Sequence, residues 1–241
     1  MVDILREYWL LFLVGQYPNG PLGGLTATIL VAVAGLLLSL PCALILALAR
    51  VSPYRPVRIA AAAIVHTVRG MPFLMMIFWC YFALPLLVGR PLDGFVTLVG
   101  ALVLYESAYL AEVIRAGIEA LPPGQYEAGR ALGLDYCRTM TRVVLPQALF
   151  NSMPSLLSQF VSLIKETSLG YVISVNEFTF AAAQVNNQLL TKPVQVFSIL
   201  ALTFFILCFS LTQTARALER AILRKRAGTP ESQILSTEAD A

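Results

Sequence analysis

Residues 127–146 read EAGRALGLDYCRTMTRVVLP. This is a polar, arginine-bearing interval set between segments built for lipid, and its reading decides how the chain is organised. It opens Glu127-Ala128-Gly129, places Gly133 six positions after Glu127, and closes Val143-Val144-Leu145-Pro146. Glu127, Ala128, Ala131 and Leu132 fall at helical spacings, and Ala131 with Leu132 makes an apolar ridge. Pro122, Pro123 and Gly124 break the chain before this helix. Gly133 tolerates a positive φ and lets the chain turn sharply after it. The predicted object is a short rigid helix projecting from the membrane; an ordinary interfacial amphipathic helix is the alternative.

Around this interval the chain is apolar. Of its 241 residues 58% are hydrophobic and 13% charged, with a mean hydropathy of +0.74. A soluble domain carries about 25% charged residues. Charge this sparse cannot cover a water-facing surface, so an all-α integral membrane protein is predicted. The net charge of +3 says little about partners, and no nucleic-acid partner is expected. The cysteines at 42, 80, 137 and 208 show no C-x-x-C spacing and read as small apolar side chains. His66 is the only histidine, which excludes a multi-histidine metal site. No phosphate loop, H-E-x-x-H or G-x-S-x-G motif occurs, so no catalytic residue, metal or cofactor is expected in this chain. The apolar run from Tyr8 to Val14 is short and follows Asp3, Arg6 and Glu7, unlike a cleavable signal.

Five apolar runs are long enough to cross a bilayer of about 30 Å. They cover 25–48, with Pro41 expected to kink the helix, 59–88, 95–114, 148–175 and 194–211. The second is interrupted at His66, Arg69, Gly70 and Pro72 and reads as one tilted or bent span. Arg50, Arg55 and Arg58 follow the first run. Arg115, Arg130, Arg138 and Arg142 follow the third, and Arg216, Arg220, Arg224, Lys225 and Arg226 follow the fifth. With five spans, every basic cluster falls on one side, which the positive-inside rule makes cytoplasmic. The N-terminus is then outside and the C-terminus inside. The predicted division is an external segment over 1–22, a transmembrane domain over 23–218 and a cytoplasmic tail over 219–241, disordered from about 228.

Charged side chains at membrane depth cost a few kcal/mol unless paired or hydrated. Glu106 must therefore face another helix or a water-filled path. Glu112 and Arg115 are three apart and can pair on one helix face. Lys165 and Glu166 are adjacent, lie on different faces, and must find other partners. Arg69 and Lys165 read first as structural pairs near the cytoplasmic end and second as lining of a translocation path. Both roles stay open for Glu106. Asn151, Ser155, Ser158, Gln159 and Ser162 share one face of the fourth span, and pore lining and helix packing both account for such a stripe.

The spacing of residues 127–146 resembles the EAA signature of binding-protein-dependent ABC importer permeases: E-A-A, three residues, Gly, nine residues, I-x-L-P. Gly129 stands for the second Ala and Val143 for Ile. Arg69-Gly70-Met71-Pro72 resembles the R-G-x-P of the polar amino acid branch. Glu106, Ala108-Tyr109, Glu112, Arg115 and Gly117 resemble its third-span pattern, and 164–169, IKETSL, its K-D-T-S-L with Glu166 for Asp. The resemblance implies a type I importer permease with five spans. Glu127, Ala128, Gly129, Ala131, Leu132, Gly133, Leu145 and Pro146 would couple it to a cytoplasmic ATPase dimer holding ATP-Mg. It implies a second permease, here expected to be a different chain, and an external amino-acid-binding protein, with membrane lipid around the spans. The candidate path residues are Arg69, Glu106, Ser155, Ser158, Gln159, Ser162 and Lys165. The third- and fourth-span wording looks most like glutamate and aspartate permeases; glutamine, basic amino acids and cystine are the alternatives, and an ion-driven carrier is the rival class.

Overall fold

Small residues at four-residue spacing set the architecture. Ala27, Val31, Gly35, Ser39, Ala43 and Ala47 are all buried along one helix. Lipid gives apolar helices no hydrophobic reason to associate, so close backbone approach through small side chains must do it. The computed structural model describes residues 1–227. Its elements are α1 (Val2–Val14), α2 (Gly24–Arg50), α3 (Arg55–Arg69), α4 (Phe73–Phe78), α5 (Leu84–Val88), α6 (Gly94–Glu119), α7 (Pro123–Ala131), α8 (Tyr136–Thr139), α9 (Leu145–Thr167), α10 (Phe178–Leu189) and α11 (Pro193–Ala227). Among the described residues the only β-type pairings are two isolated bridges, Gly15 with Leu22 and Gly24 with Glu177. The expected all-α class is what forms. The tail over 228–241 lies outside the described residues.

α6 is the central helix, contacting α2, α3 and α9. The small-residue stripe of α2 lies against it. A side chain on Gly35 would meet Leu102 of α6, and Ser107 of α6 donates to the Ser39 carbonyl at 3.3 Å. Leu98, Leu102, Leu163 and Ile164 fill the space between α6 and α9. α2, α6 and α11 are each long and apolar enough to cross a membrane. α2 continues as helix through Pro41. α9 has 23 residues, enough length for a span, but is more polar.

The sequence predicts a tilted or bent span over 59–88. The structure breaks it by 100° between α3 and the α4–α5 segment. Pro72 contributes to the break: a proline disfavours the helical region for the residue before it, and Pro72 itself adopts extended angles as the N-cap of α4. The fourth run likewise ends as α-helix at Thr167 and continues as a 3₁₀ turn, Ser168–Ile173. α10 is an element that the apolar runs do not reveal. Its start is fixed by the fully buried Glu177, whose carboxylate accepts from the Thr179 and Phe180 amides at 2.8 and 2.9 Å.

α6 and α9 approach closely at Gly117, where an added Cβ would collide with Ser152 Oγ and lie 3.0 Å from the Ala148 carbonyl. Gly117→Leu is expected to lower the thermal stability of the detergent-solubilised protein by about 1–3 kcal/mol or more, the usual range for overpacking. Gly100→Ala, which meets nothing within 4 Å, should leave it unchanged. Paired melting curves of the two variants check this.

Candidate functional site

α7 stands clear of the helix bundle because its sequence gives it nothing to bury on one side. Glu127, Ala128, Ala131 and Gly133 are exposed, and Leu132 is 82% exposed. The helix ends in a Schellman motif: the Gly133 amide donates to the Arg130 carbonyl at 3.0 Å and the Leu134 amide to Gly129 at 3.2 Å. Gly133 has φ +80°, a conformation that strains any residue bearing a side chain. Gly129 is the one buried residue of α7. A methyl there would come 2.7 Å from Cγ2 of the fully buried Thr139. Thr139 thus occupies the space that the second alanine of the motif would need.

Three ties fasten α7 to the bundle. Gln147 Nε2 donates to Gln125 Oε1 at 3.0 Å, joining α9 to α7. The Tyr136 hydroxyl donates to the Val51 carbonyl at 3.1 Å, joining the loop to the end of α2. Burial raises the Tyr136 pKa, which keeps that donor protonated. The Tyr126 and Tyr136 rings meet at 6.1 Å. Pro146 shapes the root of α9. It has no amide hydrogen, and its ring would clash with the Arg142 carbonyl in a regular helix. The turn before it, Met140–Val144, widens to a π-turn in which the Leu145 amide reaches back to Met140. Leu84-Pro85 follows the same device: Trp79–Ala83 is a π-turn closed by the Leu84 amide on Trp79. Leu145 is buried and Pro146 exposed.

Glu112 lies at the cytoplasm-facing end of α6 in the predicted orientation. It pairs with Arg115 at 2.9 Å, as its spacing predicts, but also with Arg50 of α2 at 2.9 Å and with Arg69 of α3 at 3.7 Å. Arg115 also bonds Glu119. Three guanidiniums therefore share two carboxylates. Arg69, whose side chain is 38% exposed, has the weakest hold on them and lies 5.1 Å over the Tyr109 ring. It opens onto a cavity of about 620 Å³ that Tyr109, Glu112, Asn151, Ser155 and Gln159 also line.

Of the predicted path residues, the structure brings Arg69, Ser155 and Gln159 to this cavity. Glu106 is fully buried beyond it and accepts from Gln159 Nε2 at 3.1 Å. Its carboxyl also meets that of Glu166, the neighbour that Lys165 cannot satisfy. Ser158 and Ser162 do not line the cavity, and Ser158 donates to the Pro154 carbonyl. Lys165 is exposed and forms no ion pair among the described residues. Arg50 and Gln147 are site residues that the sequence does not single out. Arg50 is legible only as one of a basic cluster, and Gln147 only as a polar residue one position after the motif.

α7 thus projects from the foot of α9, whose Asn151, Ser155 and Gln159 line the polar cavity at Arg69. The chain belongs to the family described as binding-protein-dependent transport system inner membrane component, whose pattern matches residues 35–224. It is 37% identical over 198 residues to a probable glutamine ABC transporter permease protein, GlnP, of Bacillus subtilis, covering 81% of this chain and 90% of that one. It is 34% identical over 224 residues to the inner membrane amino-acid ABC transporter permease protein YhdY of Escherichia coli; the match covers 90% of this chain but 61% of YhdY. Relatives named for cystine, arginine and glutamate/aspartate transport match at 36%, 33% and 31% identity. A crystal structure of an amino acid ABC transporter with histidines superposes with a TM-score of 0.77 at 28% identity, covering 90% of this chain and 96% of that one.

Gly129→Ala is expected to loosen α7, because Thr139 must yield. Hydrogen exchange over residues 123–134 should accelerate, and Thr139→Ala in the same chain should restore protection. Unchanged exchange in the single variant would show that the contact does not set the position of α7.

Proposed function

We propose that the chain is the permease subunit of an ATP-driven importer for polar amino acids, glutamate and aspartate first among them. The observation that carries this reading is α7: an exposed ridge ending at Leu132, a fixed turn at Gly133 and a hydrogen-bonded root on α9. Such a helix can receive a push from a cytoplasmic partner and pass it to a span without bending. In this reading Glu127, Ala128, Ala131 and Leu132 contact the ATPase. Gly129, Gly133, Leu145 and Pro146 hold the helix in position. Five spans cross the membrane: α2, the bent α3–α5 segment, α6, α9 and α11. The N-terminal segment over 1–22 lies outside, and residues 219–241 follow on the cytoplasmic side.

Two ATPases carrying ATP-Mg grip the loops of this permease and of a second, different permease. An external binding protein delivers the amino acid. ATP binding closes the ATPases, the loops transmit the motion, and the path opens outward; hydrolysis returns it inward. The path runs by the cavity at Arg69, with Ser155, Gln159 and Glu106 toward its deep end and Ser158, Ser162 and Lys165 on the face toward the partner permease. Arg69 offers a cation to the carboxylate that every amino acid carries, so it selects no particular one. The names of the relatives divide among glutamine, cystine, arginine and glutamate/aspartate at similar identity, which keeps glutamine, basic amino acids and cystine as alternatives.

Gly133→Asp is expected to insert and assemble normally but to lose ATP-driven uptake in proteoliposomes; normal uptake would remove the coupling role. Uptake driven by an ion gradient in ATP-free vesicles would establish the rival carrier. Glu106→Gln is expected to reduce transport while the complex still assembles, as read by size-exclusion chromatography. Loss of assembly would make Glu106 a structural residue only.

A further inference from the structure

A second cavity, of about 410 Å³, lies behind α7 and belongs to none of the roles above. Pro122, Gln125 and Tyr126 of the α7 segment form one wall. Leu121, Met140 and Val144 form an apolar wall. Arg50 and Arg58 supply the charge. Arg50 is held by its Nε on Glu112, with its side chain only 13% exposed. Its two Nη groups make no hydrogen bond among the described residues. Arg58 has one long contact, Nη1 to the Ser52 carbonyl at 3.4 Å. Glu119, the acidic residue of the lining, is already engaged by Arg115. The cavity therefore holds two cations whose spare donors are free to take an anion.

We propose that this cavity is a binding site for the phosphate of an anionic phospholipid, with Arg50 and Arg58 on the phosphate oxygens and the glycerol and upper acyl carbons against Leu121, Met140 and Val144. A free phosphate ester shares the head chemistry, but it would leave the apolar wall unfilled. The position favours lipid: the cavity sits where α2 and α6 end and α3 begins, beside the basic cluster that the proposed orientation makes cytoplasmic, and basic pockets between spans on that side take anionic headgroups. A bound headgroup braces the segment that enters α7, so anionic lipid strengthens transmission through the loop. That consequence rests on the coupling role of α7; the binding itself does not.

The test uses the complete transporter in vesicles of phosphatidylcholine, with or without phosphatidylglycerol. Lipid retained on the purified complex is counted by native mass spectrometry without ATP, and uptake is measured separately. Arg58→Gln should lower phosphatidylglycerol retention about fivefold, the factor expected for one arginine at an anionic surface, and should abolish stimulation of uptake by that lipid. Arg55→Gln, on the same helix but outside the cavity lining, should behave as wild type. Equal retention in wild type and Arg58→Gln, or equal loss in both variants, would overturn the site. So would glycerol phosphate in phosphatidylcholine vesicles stimulating uptake as strongly as the lipid. Arg58-dependent retention with uptake indifferent to the lipid would overturn the bracing role alone.

Discussion

The Glu112 carboxylate is the interaction on which this end of the helix bundle depends. Arg50, Arg69 and Arg115 reach it from three helices, and its side chain is 13% exposed. An ion cluster so placed gains little over well-packed apolar residues, but removing Glu112 would leave the guanidiniums of Arg50 and Arg115 without their shared anion, at a cost of about 3–5 kcal/mol. Its value is positional. By holding the ends of α2, α3 and α6 to one point, Glu112 sets Arg69 on the rim of the cavity facing α9. It sets Arg50 on the opposite side, behind α7. Two concave sites of different chemistry share one anion.

What holds the spans together is a separate matter of size. The α2 stripe and Gly117 of α6 let backbones approach where lipid offers no drive. The two π-turns serve a related need, each absorbing a Leu-Pro pair without breaking its helix. One of them lies at the foot of α9, between α7 and the part of α9 that carries Asn151, Ser155 and Gln159. α7, the π-turn and α9 are thus joined in one unit, pinned by the Gln125–Gln147 bond.

The parts legible in the sequence were those governed by local rules. Proline and glycine positions around 122–133 marked α7, and a three-residue spacing paired Glu112 with Arg115. Adjacency alone forbade Lys165 and Glu166 from satisfying each other. The parts that were hidden depend on tertiary neighbours. Glu106 had to have a partner, but that it is Gln159 follows only once α6 and α9 cross. The 100° break needed more than Pro72, since α3 must also find α6 to lie against. α10 escaped because its one strong mark, Glu177, is an N-cap outside any long apolar run. The small-residue stripe of α2 was present in plain order and is recognised by its four-residue period. Gly129 looked like a departure from the motif until Thr139 was seen to fill the space.

If α7 is the coupling helix, it must meet an ATPase. A photoreactive amino acid at Leu132, introduced into the chain in its own membranes, tests it without disturbing the buried face of the helix. Irradiation is expected to give a covalent product with a cytoplasmic ATPase, and none from the same group at Leu86 on α5, which in the five-span reading lies toward the opposite membrane face. No ATPase adduct at Leu132 in membranes that contain the intact transporter would contradict it.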